Sequence, residues 1–148
     1  MQQRMMKRKA YYVKNILLVA ISGVGGFISM LLGGWDKLLA TLLVCMAIDY
    51  ITGFLLAFVF HKSNKTKSGK ASSQAGFRGI IKKICVLCLI ALCVCIDSVM
   101  GTEYIRNTAL LFFIGNEGLS IVENTTKMGV PYPEFIKKAL EAIKDKKE

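Results

Sequence analysis

The sequence predicts an all-α membrane protein with about four transmembrane helices and a short amphipathic helix near its C-terminal end. Four long apolar stretches interrupt the chain, and hydrophobic residues make up 53% of its 148 residues. The mean hydropathy of +0.46 is too high for a soluble domain of this length, which could not bury four such stretches in one core. Polar and charged residues are concentrated between the stretches.

Basic residues alternate along the chain. The five segments that flank the apolar stretches contain five, one, seven, one and six Lys and Arg residues in chain order. Cytoplasmic segments retain Lys and Arg whereas short exported loops lack them, so both termini should be cytoplasmic. The pattern predicts a basic N-terminus at 1–15, a transmembrane domain at 16–122 with a basic cytoplasmic loop at 61–83, and a cytoplasmic tail at 123–148.

The net charge of +10 lies mainly in these cytoplasmic segments. Anionic lipid headgroups are nearer to them than nucleic acid, so we expect lipid and no nucleic acid as the partner. The Ser-, Gly- and Lys-rich start of the 61–83 loop predicts a mobile, solvated segment. The lysines expected at the membrane surface are Lys62, Lys65, Lys67, Lys70, Lys82, Lys83, Lys137 and Lys138.

The first predicted span, Ile16–Trp35, contains no charge and is rich in small residues. Gly25, Ser29 and Gly33 recur at intervals of four, which places them on one face of a helix. Such a face lets a second helix approach closely, and close packing drives helix association in lipid. We expect an association face here, within the chain or between copies.

The second predicted span, Leu38–Phe60, contains one charged residue, Asp49, near its middle. An ionised carboxylate at the bilayer centre costs at least about 2.5–3.5 kcal/mol, so it requires a partner or a wet surface. Gly53 and Ala57 follow at intervals of four on the same face. Two interpretations stay open: a functional acid facing a pore, or a hydrogen-bonded acid that only joins helices.

The third and fourth predicted spans are Ile84–Met100 and Ile105–Val122, joined by a short turn. Asp97 and Arg106 flank that turn, which predicts an ion pair at the outer membrane interface. The fourth span becomes polar towards its cytoplasmic end, and three crossings remain if it does not cross. Its candidate oligomerisation or pore residues are Asn116, Glu117, Ser120 and Asn124.

Within that set, Asn116, Ser120 and Asn124 recur at intervals of four and form one polar stripe. Glu117 lies five residues inside the cytoplasmic end, only about 7 Å deep at 1.5 Å per residue. The side chain could therefore reach the interface, which weakens the case for a buried proton carrier.

The sequence of the tail predicts a short helix after Pro133. Its apolar residues fall on one face and its lysines elsewhere, as in a helix that lies on an anionic inner leaflet. A solvated basic tail is the alternative. The apolar face comprises Phe135, Ile136, Ala139, Leu140 and Ile143.

The chain offers no catalytic, metal or cofactor site that we can assign. It lacks a P-loop, an H-E-x-x-H sequence and a nucleophile elbow. His61 is the only histidine, and no second pair completes Cys85-x-x-Cys88 as a metal motif. We therefore expect a non-enzymatic, self-associating membrane protein, with a pore as one such function.

Three blocks, together with the closing Gly129-Val130-Pro131-Tyr132-Pro133, resemble the bacteriophage holin family of the phage-lysis and toxin-secretion type. They are Asp49-Tyr50-Ile51-Thr52-Gly53, the Ser72-Ser73 pair with the glycines and Lys82-Lys83 after it, and Asn116-Glu117-Gly118-Leu119-Ser120-Ile121-Val122-Glu123-Asn124. The resemblance covers roughly residues 38–145. It implies a homo-oligomer that opens lesions in the bacterial cytoplasmic membrane and releases an endolysin or a toxin without a signal sequence.

Two other functions fit the same residues. A small oligomeric ion or drug transporter would use Asp49 or Glu117 for proton coupling. A membrane scaffold would use the basic loops to recruit a cytoplasmic partner. Release of a large cytoplasmic protein would favour the holin, and saturable proton-dependent uptake without loss of viability would favour the transporter.

Overall fold

The computed structural model describes residues 2–63, 65–66 and 68–144, and its regular elements are all α-helices. The chain divides into two compact units, Met1–Trp35 and Asp36–Glu148, and each is described by itself. The helices are α1 (Gln2–Leu31), α2 (Lys37–Phe58), α3 (Ser73–Met100), α4 (Tyr104–Lys127) and α5 (Glu134–Lys144).

The first unit is the single helix α1, in which the basic N-terminal segment and the apolar span are continuous. The apolar span runs over Tyr11–Leu31 and its side chains are exposed, as expected of a surface that meets lipid. The predicted span reached Trp35, but the helix ends earlier. Gly33 and Gly34 have φ angles of 82° and 91°, which end a helix by turning the backbone left-handed.

Hydrogen bonds close this helix end in the pattern of a Schellman motif. The Gly34 N–H donates to the Ser29 carbonyl at 2.8 Å, and the Gly33 N–H donates to the Met30 carbonyl at 3.1 Å. Gly33 is therefore a turn residue, and the prediction that it shares a helical face with Gly25 and Ser29 is wrong.

Helix α4 is the central element of the second unit. It packs against α2 on one side and α3 on another, and α5 packs against α4 as well. Helices α2 and α3 meet each other at only a few positions. The largest fully buried side chains among the described residues of this unit are Leu39, Leu42, Ile90 and Leu110.

Three helices are long and apolar enough to cross a membrane among the described residues: α1 over Tyr11–Leu31, α2 and α3. Helix α4 has 24 residues, about 36 Å at 1.5 Å per residue, so its length also suffices. Polar side chains lower its mean hydropathy, but three of them, Arg106, Glu117 and Asn124, are buried inside the unit. They would not face lipid in a crossing helix.

Helix α3 begins at Ser73, so the predicted loop boundary at residue 83 is wrong. The stretch 73–83 is helical and carries Lys82 and Lys83 on a helix surface. The predicted third span started at Ile84 because the charged residues before it resembled a loop. In the structure these charges extend beyond the apolar part of one 28-residue helix.

The remaining segment, 61–72, is folded where the structure describes it. The Ser63 N–H donates to the Gly69 carbonyl at 3.0 Å, and the Thr66 hydroxyl donates to the Lys70 carbonyl at 2.8 Å. Gly69 has a φ of 71°, and a Cβ there would lie 2.1 Å from the His61 carbonyl oxygen. Local hydrogen bonds therefore hold the backbone of these residues while most of their side chains are exposed, and the predicted mobility of the segment stays a prediction.

The predicted C-terminal helix is present as α5. Ile136 is half-buried and Phe135 is exposed, so the apolar face is only partly covered. Lys137 and Lys138 are exposed. The side chains of Leu140 and Ile143, which complete the predicted apolar face, lie outside the described part of the chain.

Candidate functional site

A cluster of charged and polar side chains lies where α2, α3 and α4 come together. The Lys83 ammonium donates to Asp49 Oδ2 at 2.9 Å and also donates to Glu117 Oε2. One cation from α3 therefore joins an acid of α2 to an acid of α4. The three side chains are 18%, 8% and 11% exposed respectively, so the ion pairs are largely withdrawn from solvent.

The second oxygen of Asp49 is also satisfied. Asn124 Nδ2 donates to Asp49 Oδ1 at 3.1 Å and to Thr52 Oγ1 at 3.2 Å. Ser120 lies one turn before Asn124 on α4. The Thr52 hydroxyl in turn donates to the Asp49 carbonyl. Among the described residues, no buried side-chain nitrogen or oxygen lacks a hydrogen-bond partner.

Helix periodicity explains why α4 supplies several of these groups. Glu117, Ser120 and Asn124 are spaced by three and four residues, so they lie on one face of the helix. Gly115 and Gly118 lie on other sides of α4, and because both are small and buried they let neighbouring helices approach closely. The result is a polar face that is covered by α2 and α3 within the chain.

The cluster contains one cation and two carboxylates, a formal charge of −1 with all groups ionised. Charges in a low-dielectric interior are costly unless they are paired and hydrogen-bonded, and breaking such a pair costs more than the pair contributes. The cluster therefore fixes the register of three helices. If the helices separated, Asp49, Lys83 and Glu117 would lose these partners, and their charges would need contact with water.

A second polar site joins the opposite ends of the same helices. Asp97 at the end of α3 accepts hydrogen bonds from the Thr102 hydroxyl at 2.5 Å and from the backbone N–H groups of Ile105 at 3.1 Å and Arg106 at 2.7 Å. A carboxylate that binds free N–H groups caps the first turn of a helix. Asp97 therefore caps α4.

The Arg106 guanidinium pairs with a different acid. Its Nη1 donates to Asp36 Oδ2 at 2.6 Å, while Asp36 Oδ1 accepts from the Leu39 N–H at 2.8 Å and caps α2. The sequence predicted an ion pair between Asp97 and Arg106. The structure brings the two residues together through the Arg106 backbone N–H, and the Arg106 guanidinium also forms an ion pair with Asp36.

Arg106 lowers the pKa of the Asp36 carboxyl below its ordinary value of 3.8, mainly through the side-chain hydrogen bond and against the effect of partial burial. A depressed folded pKa stabilises the fold above the unfolded pKa, and the contribution is lost as the pH falls through the folded pKa. We expect the thermal midpoint in detergent to fall below about pH 4. Asp36→Asn should remove that part of the decline, measured by circular dichroism between pH 7 and 3.

Glu103→Gln is the matched control, because Glu103 is an exposed acid before α4 that makes no side-chain capping bond. This variant should keep the wild-type pH profile. A profile of Asp36→Asn that overlays the wild type would show that the Asp36–Arg106 pair contributes nothing to stability.

A cavity of about 820 Å³ opens beside the ion cluster, between α2 and the first turns of α3. It exists because α2 and α3 both pack on α4 but barely touch each other. Asp49, Lys83 and Glu117 line its inner end, and Ser63, Ser72 and other residues of the 61–72 segment line its mouth. We call this cavity the α2–α3 groove.

The remaining predicted site residues lie in three places: along the groove, within the helix bundle and on the exposed surface. Ala57 is buried, and Gly53 is half-buried with Asn124 Nδ2 3.6 Å from the position of a Cβ, so this face packs against α4 within the chain. Gly25 has no neighbour within 4 Å of such a Cβ position, and Ser29 is half-buried. Asn116, also a groove residue, is exposed.

The lysines predicted at the membrane surface lie in different environments. Lys65, Lys70 and Lys82 line the groove, and Lys62 donates to the Lys127 carbonyl at 3.5 Å. Lys83 is not a surface lysine, because the two carboxylates hold its ammonium inside the bundle. Lys67 lies outside the described residues.

The chain is similar to a known protein family and to several bacterial proteins. A model described as the bacteriophage holin family matches residues 26–145, a range that contains the whole ion cluster. An uncharacterized 14.9 kDa protein in the nagH 3′ region of Clostridium perfringens is 36% identical over 90% of this chain and 96% of its own length.

Two further relatives also match most of the chain. An uncharacterized protein of Listeria innocua is 37% identical over 82% of each chain. The uncharacterized protein YtkC of Bacillus subtilis is 31% identical over 89% of this chain and 90% of its own. No solved structure matches the chain.

Proposed function

Because the chain belongs to the bacteriophage holin family, we propose that it accumulates in the bacterial cytoplasmic membrane, associates with copies of itself and opens lesions there. The cargo released would be an endolysin or a toxin without a signal sequence. The observation that carries this proposal is the family match over residues 26–145, which includes the helices that hold the ion cluster.

The folded chain has surfaces suited to association in lipid. The apolar part of α1 is exposed, and among the described α3 residues only Ile90 and Asp97 are buried. Helices associate in a bilayer through close packing, so exposed apolar helices with small residues support clustering of copies. While the copies associate, the polar side chains of the ion cluster stay buried within each copy.

The ion cluster supplies the polar lining that a lesion needs. Asp49, Glu117 and Asn124 are satisfied inside one bundle, and they would meet lipid poorly if α2 and α4 separated. In a crowded assembly such groups would instead face water between copies. The same residues therefore hold the closed bundle together and favour a wet opening once the bundle separates.

Expression of the chain in a bacterium should stop growth abruptly after a delay, with loss of membrane potential. Co-expression of a murein hydrolase should then release cytoplasmic protein into the medium. The measurements are culture density, a potential-sensitive dye and a cytoplasmic marker enzyme. An unrelated membrane protein at the same membrane level is the control, and steady growth with the chain at high membrane levels would overturn the proposal.

We also propose that both termini face the cytoplasm and that α4 crosses the membrane. In a variant without the five natural cysteines, single cysteines at Trp35 and Glu103 should react with a membrane-impermeant reagent in intact cells. A cysteine at Ser68 should react only after permeabilisation, because the basic segments stay inside. A reporter fused to the C-terminus should be detected on the cytoplasmic side. Detection of the C-terminus outside the cell would mean that the chain crosses the membrane three times.

A transporter is the second candidate, favoured by one observation: Asp49 and Glu117 line the α2–α3 groove, where a cation could reach both acids. It would bind a cation or a protonated drug and move it with a proton. Proton-dependent, saturable uptake into vesicles at expression levels that leave cells viable would favour this candidate over the holin.

A further inference from the structure

The α2–α3 groove has two chemically distinct parts among its described residues. Its walls are apolar, with Phe54 and Phe58 from α2 and Phe77 and Ile80 from α3. Its mouth is cationic and rich in hydroxyl groups. The mouth residues are Ser63, Lys65, Thr66, Lys70, Ser72 and Ser73, whereas Lys82 lies beside Lys83 on α3.

The charge of the groove favours an anionic ligand at the mouth. Four lysines and two carboxylates line it, and Lys83 already neutralises part of the acidic inner end. The Lys65 ammonium lies 3.7 Å from the position of a Cβ on Gly53, which is one turn of α2 from Asp49. The lining therefore has a formal charge of +2, and Lys65 and Lys70 are its two lysines from the 61–72 segment.

The dimensions of the groove fit an amphiphile. Ser73 at the mouth and Lys83 at the inner end are ten residues apart on α3, about 15 Å at 1.5 Å per residue. Gly79 lies between them and has no atom within 4 Å of a Cβ position, so space remains along the wall. A headgroup at the mouth would leave an acyl chain beside the aromatic side chains.

We propose that the α2–α3 groove binds one anionic phospholipid, with its phosphate on Lys65 and Lys70 and an acyl chain on Phe54, Phe77 and Ile80. Lysines near a membrane surface attract anionic headgroups, and the apolar walls select a ligand with a hydrocarbon chain. The bound chain fills the gap between α2 and α3 and shields the Asp49–Lys83–Glu117 cluster from water. This site does not depend on the lesion-forming activity.

The test uses the full chain in a mild detergent, stripped of lipid and then mixed with dioleoyl phosphatidylglycerol or dioleoyl phosphatidylcholine. Native mass spectrometry counts the lipids that stay bound. We expect one phosphatidylglycerol per chain, held about tenfold or more tightly than phosphatidylcholine. Inorganic phosphate at millimolar levels should not displace it, because free phosphate lacks the chain that contacts the walls.

Two independent variants should abolish the selectivity. Lys65→Gln/Lys70→Gln removes the charges at the mouth, and Gly79→Leu fills the wall at a helical position with open space. The matched controls are Lys37→Gln/Arg78→Gln, which removes the same number of exposed charges outside the groove, and Gly23→Leu in α1. Circular dichroism verifies that every variant is folded.

Three results would overturn the proposal. Equal retention of the two lipids would show no headgroup recognition, and displacement by phosphate would show an anion site without a lipid chain. In a variant without the natural cysteines, Gly79→Cys dimers linked by a disulfide would show that a second copy fills the groove. Loss of selectivity in the two groove variants with the controls unchanged would support the lipid site.

Discussion

Lys83→Met is expected to lower the thermal midpoint of the protein in detergent by roughly 10 °C or more. Removing one partner of a buried ion pair costs about 3–5 kcal/mol, because the remaining charges are left without compensation. Here the loss would leave Asp49 and Glu117 facing each other without the ammonium that both contact. In cells the variant should open early or fail to accumulate.

Arg78→Met is the matched control, since Arg78 is an exposed cation on the same helix and does not line the groove. It should change the midpoint little. Adding Asp49→Asn and Glu117→Gln to Lys83→Met should recover much of the loss, because the neutral triple contains no unpaired charge. Equal midpoints for Lys83→Met and Arg78→Met would show that the cluster does not stabilise the bundle.

Asp49→Leu is expected to abolish lysis without preventing insertion, and Asp49→Asn is expected to shift the lysis time. Leucine removes the charge and the acceptor for Asn124, leaving a buried amide without one partner at a cost of about 1–3 kcal/mol. Asparagine keeps hydrogen-bonding capacity and loses only the charge towards Lys83. Culture density and membrane levels of the protein measure the two effects.

Glu123→Gln and Glu123→Leu form the control pair, because Glu123 is an exposed acid on α4 outside the cluster. If Asp49 only joins helices, Asp49→Asn should behave as the wild type and Asp49→Leu should weaken cross-linked oligomers. Wild-type timing and wild-type oligomers in both Asp49 variants would remove this residue from the mechanism.

The need for a partner at Asp49 followed from the sequence, but the identity of that partner did not. An acid within an apolar span requires compensation wherever the span lies in a bilayer. Lys83 was assigned to a loop because hydropathy places the boundary of a span at the first charged residue. The pair Ser72-Ser73 is a helix-start signal, and no proline follows it up to Met100, so a longer helix could have been predicted.

The pairing of helices depends on tertiary packing that periodicity does not contain. Spacing predicted the polar stripe of α4, yet Asn124 and Asp49 are separated by 75 residues and Arg106 and Asp36 by 70. Hydropathy averages the two sides of a helix and therefore cannot separate a polar face covered by neighbours from one that faces water. The same averaging makes α4 less apolar overall than α2 and α3, although its Arg106, Glu117 and Asn124 side chains are buried.

The buried polar face of α4 also constrains how the protein is made. A helix with Arg106, Glu117 and Asn124 would enter hydrocarbon poorly by itself, because each of these side chains costs free energy in lipid. Helices α2 and α3 precede α4 in the chain and carry Asp49 and Lys83, and Asp36 directly precedes α2. These three residues bind the polar residues of α4. Biosynthesis therefore presents the partners first, and α4 can leave the insertion machinery with its charges already compensated.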